Sequence, residues 1–232
     1  MVASLKLAGP RFRVREATKN DVSDMTEVFF RSFNAKFWQY FLPDNPGGRK
    51  FWDESWAMGI DNPTDRSFVV EDTQNDNKIV AFSRWMVPQN DGNLERPWPD
   101  VPPGMDMEVA GAFFGGMEVN RHEMLGKRPH WCKQLCQRAK IAALMTNTVL
   151  EMLGVHEDYQ KHGIGAVLIK YGTDQADKDG LETYLDASEI GQPYYKKRHN
   201  FAHPKGINIP DRPEYGSFYY ESLIRDPQAA AK

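Results

Sequence analysis

The sequence predicts a mixed α/β (α+β) domain with a central sheet and helices on both faces. Three observations predict it. Windows with helical apolar spacing interleave with windows that alternate like strands. Two strand-like runs, 67–72 and 78–85, flank a short polar stretch, 73–77, that suits a hairpin. A third strand-like run, 150–155, is followed by Gln160-Lys161-His162-Gly163-Ile164-Gly165 and then by a breaker-free helical run, 166–179.

The remaining elements follow from the same patterns. Phe12-Arg13-Val14-Arg15 alternates as a short strand. Thr18 and Asp21 have the spacing of a capping box, with Asp in the usual Glu position, and open a helix from Asp21 to Phe33. Val22, Met25, Val28, Phe29 and Phe33 share one side of it. Residues 44–48 are a loop, and a second helix runs from Arg49 to Met58. The Pro-rich stretch 88–104 reads as a surface excursion. Helices are expected from about Glu118 and over 133–145. Gly180 stops the helix that ends at Asp179. Residues 181–187 form a strand, 192–198 a short helix and 216–223 a closing strand, and the chain ends in a frayed tail from 225.

Composition removes several function classes. The chain has 232 residues, which fits one domain with decorations. A net charge of −3 and a pI near 6.1 give no electrostatic case for nucleic acid. The two cysteines, Cys132 and Cys136, make neither a disulfide framework nor a complete zinc set, so no metal is expected. No apolar run is long enough to span a bilayer, and residues 1–10 lack the pattern of a secretory signal. The expectation is a cytoplasmic protein, monomer or homodimer.

The glycine turn reads as an anion site. Glycines let the backbone approach closely, and a helix N-terminus offers free N–H groups and a favourable dipole. Two familiar phosphate motifs fit poorly. A P-loop needs Lys-Ser/Thr after the second glycine, but Ala166-Val167 follow here. A dinucleotide fingerprint needs a third glycine where Leu168 stands.

The surroundings sharpen the reading. The strand Leu150-Glu151-Met152-Leu153-Gly154-Val155, the turn Gln160–Gly165, Ala176-Asp177 before Gly180, the strand Tyr184-Leu185-Asp186-Ala187-Ser188, and Tyr195 before Asn200-Phe201 resemble the acetyl-CoA-binding half of GNAT acetyltransferases. Arg15-Glu16-Ala17-Thr18 with Asp21, and Ile79-Val80-Ala81-Phe82 with Trp85, resemble that family's front half. Trp98-Pro99 and Arg128-Pro129-His130-Trp131 resemble a small fungal-type branch. The resemblance covers about residues 12–222, within one domain taken as 12–224, and implies a sheet of six to seven strands with a splayed parallel pair.

It also implies chemistry. Leu153, Gly154 and Val155 would offer backbone groups to the pantetheine of acetyl-CoA, Gly154 permitting a bulge or close approach. Gln160, Lys161, His162, Gly163, Ile164, Gly165 and Ala166 would hold the pyrophosphate. Ser188 matches the pantetheine-contacting position, and Tyr195, seven residues on, matches the phenol that faces the sulfur. The family's Gly-Phe lies one residue nearer its tyrosine than Asn200-Phe201 does here. Glu151 and Asp186 are the alternative general bases. The implied activity moves an acetyl group from acetyl-CoA to an amine of a small molecule or peptide. The alternative is a CoA-binding, non-catalytic sensor or interaction module.

Phe37, Trp38, Tyr40, Phe41, Phe51, Trp52 and Trp56 read either as helix-packing core or as an acceptor pocket. His130, His156 and His203 read as loop histidines with surface roles. Residues 132–149 read as an insertion relative to the resembled branch, either an extra helix or a translated intron.

Overall fold

The computed structural model describes residues 11–87, 98–125 and 148–228. Among the described residues the strands are β1 (Phe12–Glu16), β2 (Asp65–Asp72), β3 (Lys78–Met86), β4 (Thr148–Val155), β5 (Thr183–Ser188), β6 (Ala202–Ile207) and β7 (Tyr220–Arg225). The α-helices among them are α1 (Val22–Ser32), α2 (Lys36–Phe41), α3 (Pro46–Asp61), α4 (Met107–Leu125), α5 (Ile164–Asp179) and α6 (Gln192–His199). The strands make a mixed sheet in the order β1-β2-β3-β4-β5-β7-β6, with β4 and β5 parallel. This is the α/β arrangement the sequence predicts.

The described residues fall into two compact units. The first holds 11–85, 98–105 and 150–172. Here β1 pairs antiparallel with β2, Phe12 opposite Asp72 and Glu16 opposite Phe68. The Thr18–Asp21 capping box forms as expected: Asp21 Oδ2 accepts the Thr18 N–H at 2.7 Å and the Thr18 hydroxyl at 2.9 Å. The α3 N-terminus is fixed by Asn45, whose Oδ1 accepts the Gly48 N–H at 2.9 Å, with Pro46 at the first helical position. A chain of rings ties the helices to β3. Phe29 packs on Trp52 at 4.0 Å, Trp52 on Trp56 at 5.4 Å, and Trp56 on Phe82 at 4.7 Å. Phe37, Trp38, Phe41, Phe51, Trp52 and Trp56 are all buried, so they serve as core.

The second unit holds 86–87, 106–125, 148–149 and 173–228. Strand β7 lies between β5 and β6, antiparallel to both. Tyr184, Asp186 and Ser188 lie opposite Ile224, Ser222 and Tyr220. Helix α4 packs on that side through Phe113, whose ring lies 5.1 Å from Tyr220, and through buried Asn120. The Asn120 amide donates to Ser222 Oγ at 3.0 Å and to the Lys205 and Gly206 carbonyls at 3.1 and 3.2 Å. Met86, Leu125, Val149, Tyr184 and Ile224 form an apolar cluster. The Arg225 guanidinium clasps Asp177 at 2.6 and 2.7 Å.

Some expectations shift. Helix α4 starts at Met107, eleven residues ahead of the expected start at Glu118. Helix α2 and strand β6 were not expected. The closing strand begins at Tyr220, not 216, because Gly216 sits in a left-handed turn (φ 75°) bridged to Arg212. The helix expected over 133–145, both cysteines, the 128–131 motif, most of 132–149 and residues 88–97 lie outside the described residues.

Candidate active site

The first unit carries the strand, turn and helix that the sequence singles out. Strand β4 ends at Val155, a 3-10 turn spans Glu157–Tyr159, and α5 opens at Ile164. Two residues of the turn take left-handed backbone: Lys161 at φ 67° and Gly163 at φ 76°. Gly163 does so freely, whereas Lys161 carries a side chain there against its preference. The Gln160 amide folds back to the Val155 carbonyl at 3.3 Å and closes the loop onto its strand. Lys161, His162 and Gly163 are exposed. The Val167 N–H bonds to the Gly163 carbonyl at 3.3 Å, so Ile164, Gly165 and Ala166 supply the first-turn N–H groups that an α-helix leaves without intrahelical acceptors. Those donors and the helix dipole suit an anion.

The three residues expected to line the pantetheine divide by side chain. Leu153 and Val155 pack near Gly165, where an added Cβ would sit 3.8 Å from each. Gly154 is buried against Phe82 and Ser32.

Glu151 is not solvent-facing. Its Oε2 lies 2.7 Å from Nε of Arg84 on β3, and the two side chains are 10% and 0% exposed. The guanidinium also donates to the Ser55 carbonyl and hydroxyl at 3.0 and 3.1 Å. Its carbon sits 4.7 Å from the Trp56 ring centre and 5.5 Å from that of Trp98. The sequence read Arg84 only as part of a strand, since charged strand residues are normally exposed.

The second unit carries Asp186, Ser188 and Tyr195. Asp186 Oδ1 accepts the Tyr184 hydroxyl at 2.8 Å and the Ser222 hydroxyl at 2.6 Å. Burial pushes the Tyr184 phenol far above its usual range, with Asp186 adding to the effect. Ser188 Oγ accepts the Gly191 N–H at 3.3 Å. Gly191 also borders Tyr195: an added Cβ there would lie 3.4 Å from the Tyr195 ring and 3.6 Å from Ser188 Oγ. Ser188 and Tyr195 are thus brought together at the α6 N-terminus. Desolvation pushes the Tyr195 phenol up to about 12, with neighbouring Tyr194 contributing, so it keeps its proton at neutral pH. Asn200 caps α6 in the left-handed region (φ 59°), and the Phe201 N–H reaches back to the Tyr195 carbonyl at 3.3 Å. Asn200 takes the conformation that a helix-ending glycine ordinarily supplies, and asparagine tolerates it.

His156, expected at the surface, is buried. Its ring Nδ1 accepts the Asp158 backbone N–H at 3.2 Å, and the His156 backbone N–H donates to the Val80 carbonyl at 2.9 Å. His203 is exposed as expected, and His130 lies outside the described residues. Among the described residues, no cluster of His, Cys, Asp or Glu could hold a metal ion, and no helix is long and apolar enough to cross a membrane.

Strand, glycine turn and helix within this sheet order make up the GNAT fold. Residues 139–201 match the acetyltransferase (GNAT) family model, and the chain has the GNAT fold. The match begins inside the segment 132–149. The chain is similar in structure to the ribosomal-protein-S18-alanine N-acetyltransferase of Escherichia coli, at 12% identity over 95% of this chain and 97% of that one, with TM-score 0.54. It is also similar to a histone acetyltransferase HPA2 and related acetyltransferase from Corynebacterium glutamicum, at 16% identity over 96% and 99%, with TM-score 0.53. An acetyltransferase from Thermus thermophilus is similar at 13% identity over 93% and 97%, with TM-score 0.50. At these identities the likeness is one of fold. No curated protein matches the sequence.

Proposed function

We propose that residues 12–224 act as one acetyl-CoA-dependent N-acetyltransferase domain, with an amine of a small molecule or peptide as acceptor. The observation that carries this reading is the passage from β4 through a turn with two left-handed residues into the open N-terminus of α5, inside the segment that matches the family. Acetyl-CoA would supply an activated acyl group with a thiolate leaving group. The N–H groups at Ile164, Gly165 and Ala166, with Gln160, Lys161, His162 and Gly163 around them, would hold its pyrophosphate. Backbone groups of Leu153, Gly154 and Val155, with Ser188, would align the pantetheine.

Tyr195 keeps its proton and would donate it toward the leaving sulfur, while Glu151 or Asp186 would receive the acceptor amine's hydrogen bond and proton. Acetyl-CoA is expected to raise the melting temperature, and an amine screen is expected to give free thiol. No thermal shift at millimolar acetyl-CoA overturns the reading. One observation favours the second reading, a CoA-binding module without turnover: Glu151 already faces Arg84, and Asp186 already accepts two hydroxyls. A thermal shift with acetyl-CoA and no thiol release from any amine would select it.

A further inference from the structure

A guanidinium with no exposed surface needs a reason to be where it is. Arg84 is held on four sides by groups from three stretches of chain: Glu151 on β4, Ser55 and Trp56 on α3, and Trp98. Trp98 is fixed in turn by stacking on Phe51 at 6.2 Å, their planes 5° apart. Ser55 sets the direction of one guanidinium nitrogen, and the two indoles hold the plane. Arg84 Nε thereby lies 2.7 Å from Glu151 Oε2, on the strand expected to carry the reacting groups.

We propose that Arg84 is a positioning residue for the transfer reaction, holding the Glu151 carboxylate in place as hydrogen-bond acceptor for the incoming amine. This rests on the acetyltransferase reading above. It makes Arg84 and Glu151 one functional unit, with Ser55 and Trp98 as its mounting. Neither residue belongs to the stretch 160–166 expected to hold the pyrophosphate.

The test uses the full chain and an amine that gives thiol release with the wild type. Arg84→Met and Glu151→Gln are each expected to lower kcat about 100-fold, with KM for acetyl-CoA and its thermal shift unchanged. The double variant is expected to lose no more than either single one, as residues acting as a unit do. Arg84→Lys retains the charge without the planar fork and is expected to recover about tenfold over Arg84→Met. Ser55→Ala is expected to lose a few-fold in kcat alone, and it serves with Arg84→Lys if Arg84→Met does not fold. Kcat within threefold of wild type in folded Arg84→Met, or in both Arg84→Lys and Ser55→Ala, overturns the proposal. So do losses that multiply in the double variant. A wild type without thiol release from any amine overturns the acetyltransferase reading itself, a different result from an active enzyme indifferent to Arg84.

Discussion

The backbone of Gly154 lies against the ring of Phe82, so close that an added Cβ would stand 2.8 Å from two ring carbons and 3.1 Å from Ser32 Oγ. Phe82 is fully buried and itself packs on Trp56, so it has little room to retreat. Gly154→Ala is therefore expected to destabilise the fold by about 1–3 kcal/mol through overpacking. Urea denaturation checks this as a lower midpoint at unchanged slope. An equal midpoint would mean that glycine is not required here for packing.

The turn offers a paired experiment on backbone conformation. Gly163→Ala puts a side chain at φ 76° and is expected to cost about 1 kcal/mol and to weaken acetyl-CoA binding. Lys161→Gly relieves the same conformation at φ 67° and is expected to be neutral or to stabilise by up to about 1 kcal/mol. Denaturant midpoints of the two variants should move in opposite directions.

Asp21 joins a cap to an ion pair. Its carboxylate takes the Arg15 guanidinium at 2.7 Å through both oxygens, as well as the Thr18 groups. Arg15, first among the causes, draws its pKa from 3.8 down to about 2. The folded value is depressed, so this contribution is complete above about pH 3.8 and is lost as pH falls through about 2. Asp21→Asn is expected to cost about 1–2 kcal/mol at pH 7. The gap from wild type should narrow only below pH 4, which stability measured across acid pH would show.

His156 works in a different window. Desolvation is the main cause holding its imidazole below the ordinary 6.5, and the positive charge of Lys78 and Arg31 assists against Asp158 and Glu157. The folded protein prefers the neutral ring, with Nδ1 accepting from Asp158. Its contribution is present above pH 6.5 and lost as pH falls through the lower folded value. Melting temperature is expected to drop with acidification below pH 6.5 in the wild type, with a shallower slope in His156→Asn. Equal slopes would remove His156 as a cause.

The elements legible in the sequence are those whose apolar pattern survives at local range. Strands β2, β3, β4 and β5, the Thr18–Asp21 cap and the glycine turn all announce themselves through spacing or turn chemistry. Strand β6, Ala202-His203-Pro204-Lys205-Gly206-Ile207, does not, because it is almost wholly exposed and contains Pro and Gly. Helix α4 is obscured by Gly111, Gly115 and Gly116, which lower intrinsic helix propensity while tertiary packing overrides it. Arg84 was hidden for a third reason. Its burial is set by Ser55 and Trp98, distant in sequence, and no local pattern distinguishes a buried arginine on a strand from an exposed one.

Strand β7 is the last strand among the described residues, yet it occupies the middle of β5-β7-β6. During synthesis, β5 and β6 emerge first and have no partner in each other. Both wait with open edges until residues 220–225 leave the ribosome and slot between them. The Arg225–Asp177 clasp then latches the newly arrived end to a helix made almost fifty residues earlier. The β5-β7-β6 pairing is thus completed by the strand made last of the three, and the unpaired interval is when these strands are most exposed to aggregation.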